Sequence, residues 1–498
     1  MRPSSNQLYS GAASRLADEQ TIQSFGIDGF TLMEIAATRG ADYILTHFPT
    51  HQKLLVIAGK GNNAGDALAI SRILVAHGYA SDIYFVLGDE NLSSDTQQNL
   101  SIIKKLQEIS PETAPKVVSE LHPEKYDLIL DGLFGTGLQN DIKGHPAEII
   151  KQINQSGIPI ISMDIPSGLH ADLGKIMGVA VHATVTLLFG TRKLGCYLGD
   201  GSLVSGERVL CELPFPENFL EQEYPVRLLN ETTEIQLPVV SKPKHKYEAG
   251  VVYVIGGSPG LTGAAILAAK AAWSTGCGAV TVCTPCGLSP AYDAHLVEQT
   301  RLLCGSESDT VFKPSHADFL LNEISKRPGV VVIGPGLGRS NDTISFVESF
   351  LKQYSGNIII DADALHALSL IGAHSIHPSA SVILTPHPGE LKKLHDIEHP
   401  SPKTLKTLIS SYPNPEKTTI LAKGFPSIVS SNKMCYITDY DTRIFGRAGF
   451  GDILAGKISG FLSKGHDSET AACLALLEGW KKAKTLKSEI ELSPLKIL

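Results

Sequence analysis

Three groups of residues stand out as candidates for a reactive site. The first is Gly449-Phe450-Gly451-Asp452, followed by Ile453, Leu454, Ile458 and Phe461 at helical spacing. That pattern reads as a glycine-bracketed turn entering a helix, where unpaired N–H groups and the positive end of the helix dipole suit an anion. Asp452 beside such an anion could take the proton from an attacking hydroxyl. An ordinary Asp near a helix start gives the same pattern. The second group is Asn62, Asn63 and Asp66 in GKGNNAGD, directly after the apolar run LLVIA. Gly59, Gly61 and Ala64 satisfy GxGxx(G/A), but the acid that a dinucleotide site places about twenty residues on is missing, since Asp89 lies 30 beyond Gly59. The third group is Asp131 in DGLFGTG with Asp164 and Ser167 in DIPSG. Gathered at one sheet edge, these oxygens carry little total charge, which suits a monovalent hard cation or ribose and phosphate hydroxyls better than zinc. Taken singly, each could equally close an Asx turn.

These groups sit in a pattern of alternating strands and helices. Residues 14 to 47 are predicted helical with a Gly-containing break, and strands are predicted at 54 to 58, 83 to 87, 128 to 137 and 158 to 168, with a helix near 94 to 109. Such alternation implies a parallel, doubly wound sheet whose ligands lie beyond the strands' C-terminal ends. Between Leu213 and Lys246 the pattern dissolves into proline and charge, and the boundary is placed there, giving expected domains 1–225 and 226–498. Alternation restarts with VVYVIGGSPGLTGAAILAAKAAW at 251 to 273, whose small residues suit close packing, and ends with a helix from Ser468 to Lys484.

Composition bounds the function. A chain of 498 residues, 43% apolar and 19% charged, is expected to form at least two folded α/β domains. A formal charge of −8 argues against general nucleic-acid binding. No apolar run is long enough for a signal peptide or membrane span, so a cytoplasmic protein is expected. The eight cysteines suggest no disulfide framework; Cys283 and Cys286 form a CxxC, either a redox pair or incidental, and no second pair completes a zinc site.

GxGNNxGD, DxLFGTG and DIPSGL in this order, preceded by LMEIAATRGA, resemble the NAD(P)H-hydrate epimerase domain over roughly residues 5 to 212. The resemblance implies a Rossmann-like three-layer α/β/α domain. It implies substrate contacts from Asn62, Asn63, Ala64, Gly65 and Asp66 and from Gly135, Thr136, Gly137, Leu138, Gln139, Asn140 and Asp141. By the same resemblance Asn63, Asp131 and Ser167 hold potassium and Asp164 faces the reacting ring. Ala64 stands where a Gly is usual, and Ala36-Ala37 replaces the usual Ala-Gly.

GGSPGLTGAA, GPGLG, DADAL, TPHPGE, LAKG and GFGD, in that order, resemble the ADP-dependent NAD(P)H-hydrate dehydratase of the ribokinase-like superfamily over residues 240 to 485. The resemblance implies that Asp452 is the base on the C6 hydroxyl of the hydrate. Lys423, Gly424, Phe425, Pro426, Ser427 and Gly451 would contact ADP, and Gly263, Gly336 and His387 the hydrate. Asp361 and Asp363 are candidates to orient magnesium through water, or a solvated loop pair. Phe450 stands where a small or hydroxylated residue is usual, which is expected to crowd the phosphate pocket, and Glu478 where the last helix often carries His. Together the resemblances imply a bifunctional repair enzyme for hydrated NADH and NADPH, with potassium, magnesium and ADP, and a homo-oligomer of four chains or more. A small-molecule kinase of the same superfamily, or a dehydratase carrying a non-catalytic nucleotide-binding module, are the competing readings.

Overall fold

Runs such as Lys53–Ala58 and Val330–Ile333 are buried along nearly their whole length. Strands covered on both faces are what parallel sheets with helical crossovers produce. A computed structural model describes residues 6–48, 52–233, 235, 246–486 and 492–498. The chain divides into two compact units, Met1–Pro225 and Val226–Leu498. Of the proline- and lysine-rich stretch LPVVSKPKHK, residues 237–245 lie outside the described residues. No helix among the described residues is long and apolar enough to cross a membrane.

The first unit is built on seven parallel strands: β1 (Lys53–Ala58), β2 (Ala80–Phe85), β3 (Lys116–Val117), β4 (Leu128–Gly132), β5 (Ile160–Met163), β6 (Val185–Phe189) and β7 (Glu207–Cys211). They lie in the order β3-β2-β1-β4-β5-β6-β7. The order reverses between β1 and β4, the crevice where such sheets bind ligands. The predicted helix at 14 to 47 is divided. Helix α1 (Gly11–Gln20) runs into a π-turn over Thr21–Phe25 that ends at Gly26 with φ +91°, and α2 (Gly29–His47) restarts with Asp28 accepting from Thr31 N at 3.0 Å. Helix α3 (Asn62–Ala76) follows β1 at once, then α4 (Ser94–Ile109) and α5 (His145–Gln155). Two buried apolar clusters hold the unit together, one around Leu54, Val56 and Leu68, the other around Leu55, Ile57 and Ile150.

The second unit contains β8 (Val226–Leu229), β9 (Val251–Ile255), β10 (Ala279–Pro285), β11 (Thr300–Cys304), β12 (Val330–Ile333), β13 (Asn357–Ile360), β14 (Ser381–Leu384), β15 (Thr418–Ala422), β16 (Ile428–Ser430) and β17 (Cys435–Thr438). Their order is β11-β10-β9-β12-β13-β14-β15-β16-β17-β8. All neighbours are parallel except the two pairings made by β16. Strand β8 corrects the sequence reading, which leaves 213–246 without structure: Val226–Leu229 pairs with β17, and burial against this partner overrides the weak local pattern.

Helices α6 (Thr262–Ser274), α7 (Ala362–Ile371), α8 (Pro388–His395), α9 (Phe450–Ser463) and α10 (Ser468–Lys484) complete the frame used below. Small residues let α9 press on α6, as the sequence suggests for the Ala-rich helix. A β-carbon at Gly456 would lie 2.2 Å from Ala268 O, and one at Gly460 2.2 Å from Thr275 Oγ1. This contact sets where the N-terminus of α9, and therefore Asp452, stands.

Candidate functional sites

In the first unit the C-terminal ends of β1, β4 and β5 bring Asn63, Asp131 and Ser167 into one bonded cluster. Ser167 Oγ donates to Asp131 Oδ1 at 2.6 Å, Ser167 N and Ser162 Oγ donate to Asp131 Oδ2 at 2.9 and 2.7 Å, and Phe134 N donates to Ser167 Oγ at 2.8 Å. Asn63 Nδ2 donates to the carbonyls of Met163 at 2.6 Å and Phe134 at 3.2 Å. Burial pushes the Asp131 carboxyl above its ordinary range, against the hydrogen bonds from Ser167 and Ser162. Only glycine fits where the loops meet: a β-carbon at Gly59 would stand 1.9 Å from Leu133 O.

Beside this cluster opens a cavity of about 820 Å³ whose walls include Asn62, Asn63, Asp66, Gly135, Thr136, Gly137, Leu138, Gln139, Asn140 and Asp164. Ala64, Gly65 and Asp141 are not among its walls. The Ala64 methyl is buried in the core, and a β-carbon at Gly65 would meet Met33 and Thr96 across the helix interface. Helix α3 begins at Asn62 with no side-chain cap, which leaves N–H groups of its first turn facing this loop.

Asp164 has φ +63°, a left-handed conformation that Asp tolerates better than most residues. Its N donates to Leu187 O at 2.8 Å and its Oδ1 accepts from Phe189 N at 3.1 Å. The same oxygen pairs with the Lys193 ammonium, which also donates to Phe189 O at 2.7 Å. Lys193 and Asp18 are cavity residues that sequence reasoning missed. Burial, opposed by Lys193 and reinforced by Asp164, pushes the Asp18 carboxyl up to about 6. Asp66 is likewise raised by burial, with Asp164 and Asp18 adding to it. Their only available signal was position: Asp18 lies in an amphipathic helix and Lys193 four residues past β6, and neither forms a motif.

In the second unit a cavity of about 560 Å³ is walled by Asp361, His387, Glu390, Lys423, Gly424, Phe425, Ser427, Gly451 and Asp452, among others. Pro426, Gly263 and Gly336 are not among its walls. Lys423 Nζ lies 2.8 Å from Asp361 Oδ1, which also accepts from Thr385 Oγ1 at 2.7 Å. Burial works against the Lys423 charge, but Asp361 and Glu390 outweigh it and hold the pKa above its ordinary value. A β-carbon at Gly451 would stand 3.4 Å from Lys423 Nζ, so the ammonium lies against the first turn of α9. Gly449, at φ +94°, is the N-cap of that helix and offers no side-chain oxygen to its N–H groups. Burial, then the Asp361 charge, lifts the Asp452 carboxyl to about 7 against the pull of Lys423.

His387 is the N-cap of α8 in a capping box. Its Nδ1 accepts from Gly389 N at 3.0 Å and Glu390 N at 3.3 Å, while Glu390 Oε2 accepts from His387 N at 2.9 Å. Accepting through Nδ1 puts the ring proton on Nε2, so the geometry assigns the tautomer. Asp361 and Asp363 serve different partners, because Asp363 is committed to Arg339 Nε at 2.7 Å and Gly338 N at 3.0 Å.

Phe450 is one of the walls of this second cavity. It is 6% exposed and packs with Leu492 and Ile497, edge-to-face on Phe445 with ring centres 5.5 Å apart. Glu478 pairs at 2.9 Å with Lys457, which is 1% exposed and also donates to Ser274 Oγ at 3.1 Å. Cys283 and Cys286 are free thiols.

Two α/β units, each with a nucleotide-sized cavity at a loop-to-helix junction and carboxylates raised by burial at its wall, define an enzyme with two nucleotide sites. Residues 29–195 match the family model of the YjeF-related protein N-terminus, and residues 252–493 that of NAD(P)H-hydrate dehydratase. The chain belongs to the family of bifunctional NAD(P)H-hydrate repair enzymes. It is 30% identical to the member from Salinibacter ruber, over 95% of this chain and 90% of that one. It is 31% identical to the member from Moorella thermoacetica, over 94% and 90%. A crystal structure of a hypothetical protein from Streptococcus mutans is similar at 25% identity over 53% of this chain and 91% of that one, with a TM-score of 0.44.

Proposed function

We propose that the first unit interconverts the R and S hydrates of NADH and NADPH and that the second dehydrates the S form with ADP, giving NAD(P)H, AMP and phosphate. The observation that carries the reading is Asp452, a buried carboxyl lifted to about 7 at the uncapped start of α9 with Lys423 beside it. A base with that pKa takes a hydroxyl proton near neutrality.

Asp452 takes the proton from the C6 hydroxyl as its oxygen forms a bond to the β-phosphorus of ADP. The bond from that phosphorus to the bridging oxygen breaks, and AMP leaves with the electron pair. The first N–H groups of α9 and the Lys423 ammonium face the charge on the transferring group. The C6–O bond then breaks as the ring nitrogen donates its lone pair, phosphate departs, and transfer of the C5 proton to water restores the dihydronicotinamide. Gly424, Phe425 and Ser427 hold the nucleotide, and His387, whose Nε2 lies 3.4 Å from Glu390 Oε1, contacts the hydrate. Asp361, a wall of this cavity where Asp363 is not, and holding Lys423 and Thr385 through Oδ1, would orient the water shell of a magnesium ion that would neutralise ADP phosphate charge.

In the first unit Asp164 faces the ring and Lys193 holds it in place. The Asn63, Asp131 and Ser167 cluster suits potassium: Asp131 and Ser167 offer oxygens, the carbonyls of Phe134 and Met163 that here accept from Asn63 Nδ2 adjoin them, and among the described residues the buried carboxylate has no side-chain cation as a hydrogen-bond partner. Bound there, potassium would offset the Asp131 charge and brace the FGTG loop.

The test is NADPH recovery from mixed R and S hydrates with magnesium and either ADP or ATP. Complete recovery with ADP is expected; recovery that halts at the S fraction would leave the first unit a binding module, and none with either nucleotide would favour a small-molecule kinase.

A further inference from the structure

We propose that a small basic recess beside the second cavity is a phosphoryl-binding annex of the substrate site, taking one phosphate group of the hydrated nicotinamide nucleotide. The inference rests on the dehydratase reading of the second unit. The recess, about 90 Å³, is enclosed by Arg339, by His366 and Ser369 of α7, and by His387, Glu390 and Lys393 at α8. His387 and Glu390 are also walls of the 560 Å³ cavity, so the two spaces share a partition. The proposed hydrate contacts flank it as well: His387 is in its wall, and Gly336 lies three residues before Arg339 on the same loop.

The side chains are arranged for an oxyanion. Asp363 holds Arg339 through Nε alone, at 2.7 Å, and among the described residues no further protein hydrogen bond engages the terminal guanidinium nitrogens. Those nitrogens form a planar fork suited to a phosphoryl group. Lys393 is exposed and has no ion pair among the described residues. His366 Nδ1 is buried with no hydrogen-bond partner among the described residues. Burial, then Arg339 and Lys393, holds the His366 pKa below its ordinary value, which places the three basic groups within electrostatic range of one another. On the acidic side stand Asp363, committed to Arg339 and Gly338, and Glu390, which closes the capping box with His387 and whose carboxyl burial pushes up. An anion in the recess therefore meets the open terminal nitrogens of Arg339, whose charge Asp363 partly balances through Nε, and the Lys393 ammonium. A nicotinamide nucleotide brings two phosphoryl groups of this chemistry, the diphosphate bridge and, in NADPH hydrate only, the 2′-phosphate.

The experiment compares parent enzyme with Lys393→Ala and Lys393→Glu. It reads KM for the S hydrates of NADPH and of NADH, KM for ADP, and Kd for NADPH and NADH from their fluorescence, which needs no turnover. Losing one charge-assisted contact is expected to raise KM and Kd about tenfold or more, with ADP KM unmoved and thermal melting as in the parent. Loss confined to the NADPH forms assigns the 2′-phosphate; equal loss with NADH assigns the diphosphate. Unchanged KM and Kd for both nucleotides in Lys393→Glu overturns the proposal. Lys393-dependent NADPH binding by an enzyme that dehydrates neither hydrate would sink the dehydratase reading and leave the annex standing.

Discussion

The Lys423 ammonium lies 2.8 Å from Asp361 Oδ1 across the second cavity, and its nitrogen is also what a side chain at Gly451 would first meet. One cation thus links the strand-end acid of β13 to the first turn of α9. Lys423→Met removes that link and the charge proposed to face the ADP phosphates. KM for ADP is expected to rise about tenfold to a hundredfold, the range of a lost charge-assisted contact. Steady-state kinetics with varied ADP checks this, with hydrate KM moving far less.

Asp452 gives a pH signature of both rate and stability. As the proposed base it must be ionised, so dehydratase kcat/KM is expected to climb through about pH 7 and level above it. Its folded pKa of about 7 lies above the ordinary 3.8, so the folded state binds more protons between those values and the stability contribution falls as pH rises through that window. Asp452→Asn should therefore be inactive in dehydration, more stable than the parent at pH 8, and no more stable below pH 4. Denaturant titrations at the two pH values decide it, and equal differences at both would refute the assignment.

Lys193 is 3% exposed and rests on Asp164. Asp164→Asn strands that charge, and removing one partner of a buried pair costs about 3–5 kcal/mol. The first unit is expected to melt earlier and to lose epimerisation while the second still dehydrates S hydrate. Lys193→Met with Asp164→Asn should recover much of the stability and none of the epimerisation. Calorimetry beside an R-to-S conversion assay separates the two effects.

Ser167→Ala takes from Asp131 a hydrogen bond of 2.6 Å and from the FGTG loop the acceptor of Phe134 N. Leaving buried partners unsatisfied costs about 1–3 kcal/mol. Epimerisation in the parent is expected to be faster in potassium than in lithium chloride, and the variant to lose that difference. Identical rates in both salts for the parent would dismiss the cation site.

Much of this was legible in the chain. Strand β1 and helix α3 follow from a buried apolar run, a glycine turn and a helix-period pattern, all local signals, and α9 follows in the same way. The loops bearing Asn63, Asp131, Ser167 and Asp452 were visible because tight loop crossings leave glycines behind, as at Gly59 against Leu133 O. The N-cap role of His387 was not legible, because its capping box is formed with Glu390 and becomes specific only when the helix exists. Strand β8 stayed hidden because four residues gain their stability from β17, more than two hundred positions away.

The α/β alternation, the two-part organisation and the glycine- and acid-bearing loops at strand ends follow from the chain's local pattern, since short-range backbone and periodicity preferences specify these. The tertiary structure decided which charges face one another. Asp164 acquires Lys193, Lys423 acquires Asp361, Lys457 acquires Glu478, and Phe450 turns toward Leu492 and Ile497. Partners of that kind are chosen by where packing sets each helix and strand, and burial then shifts the carboxyl of Asp452 to about 7, a property no residue carries in its type.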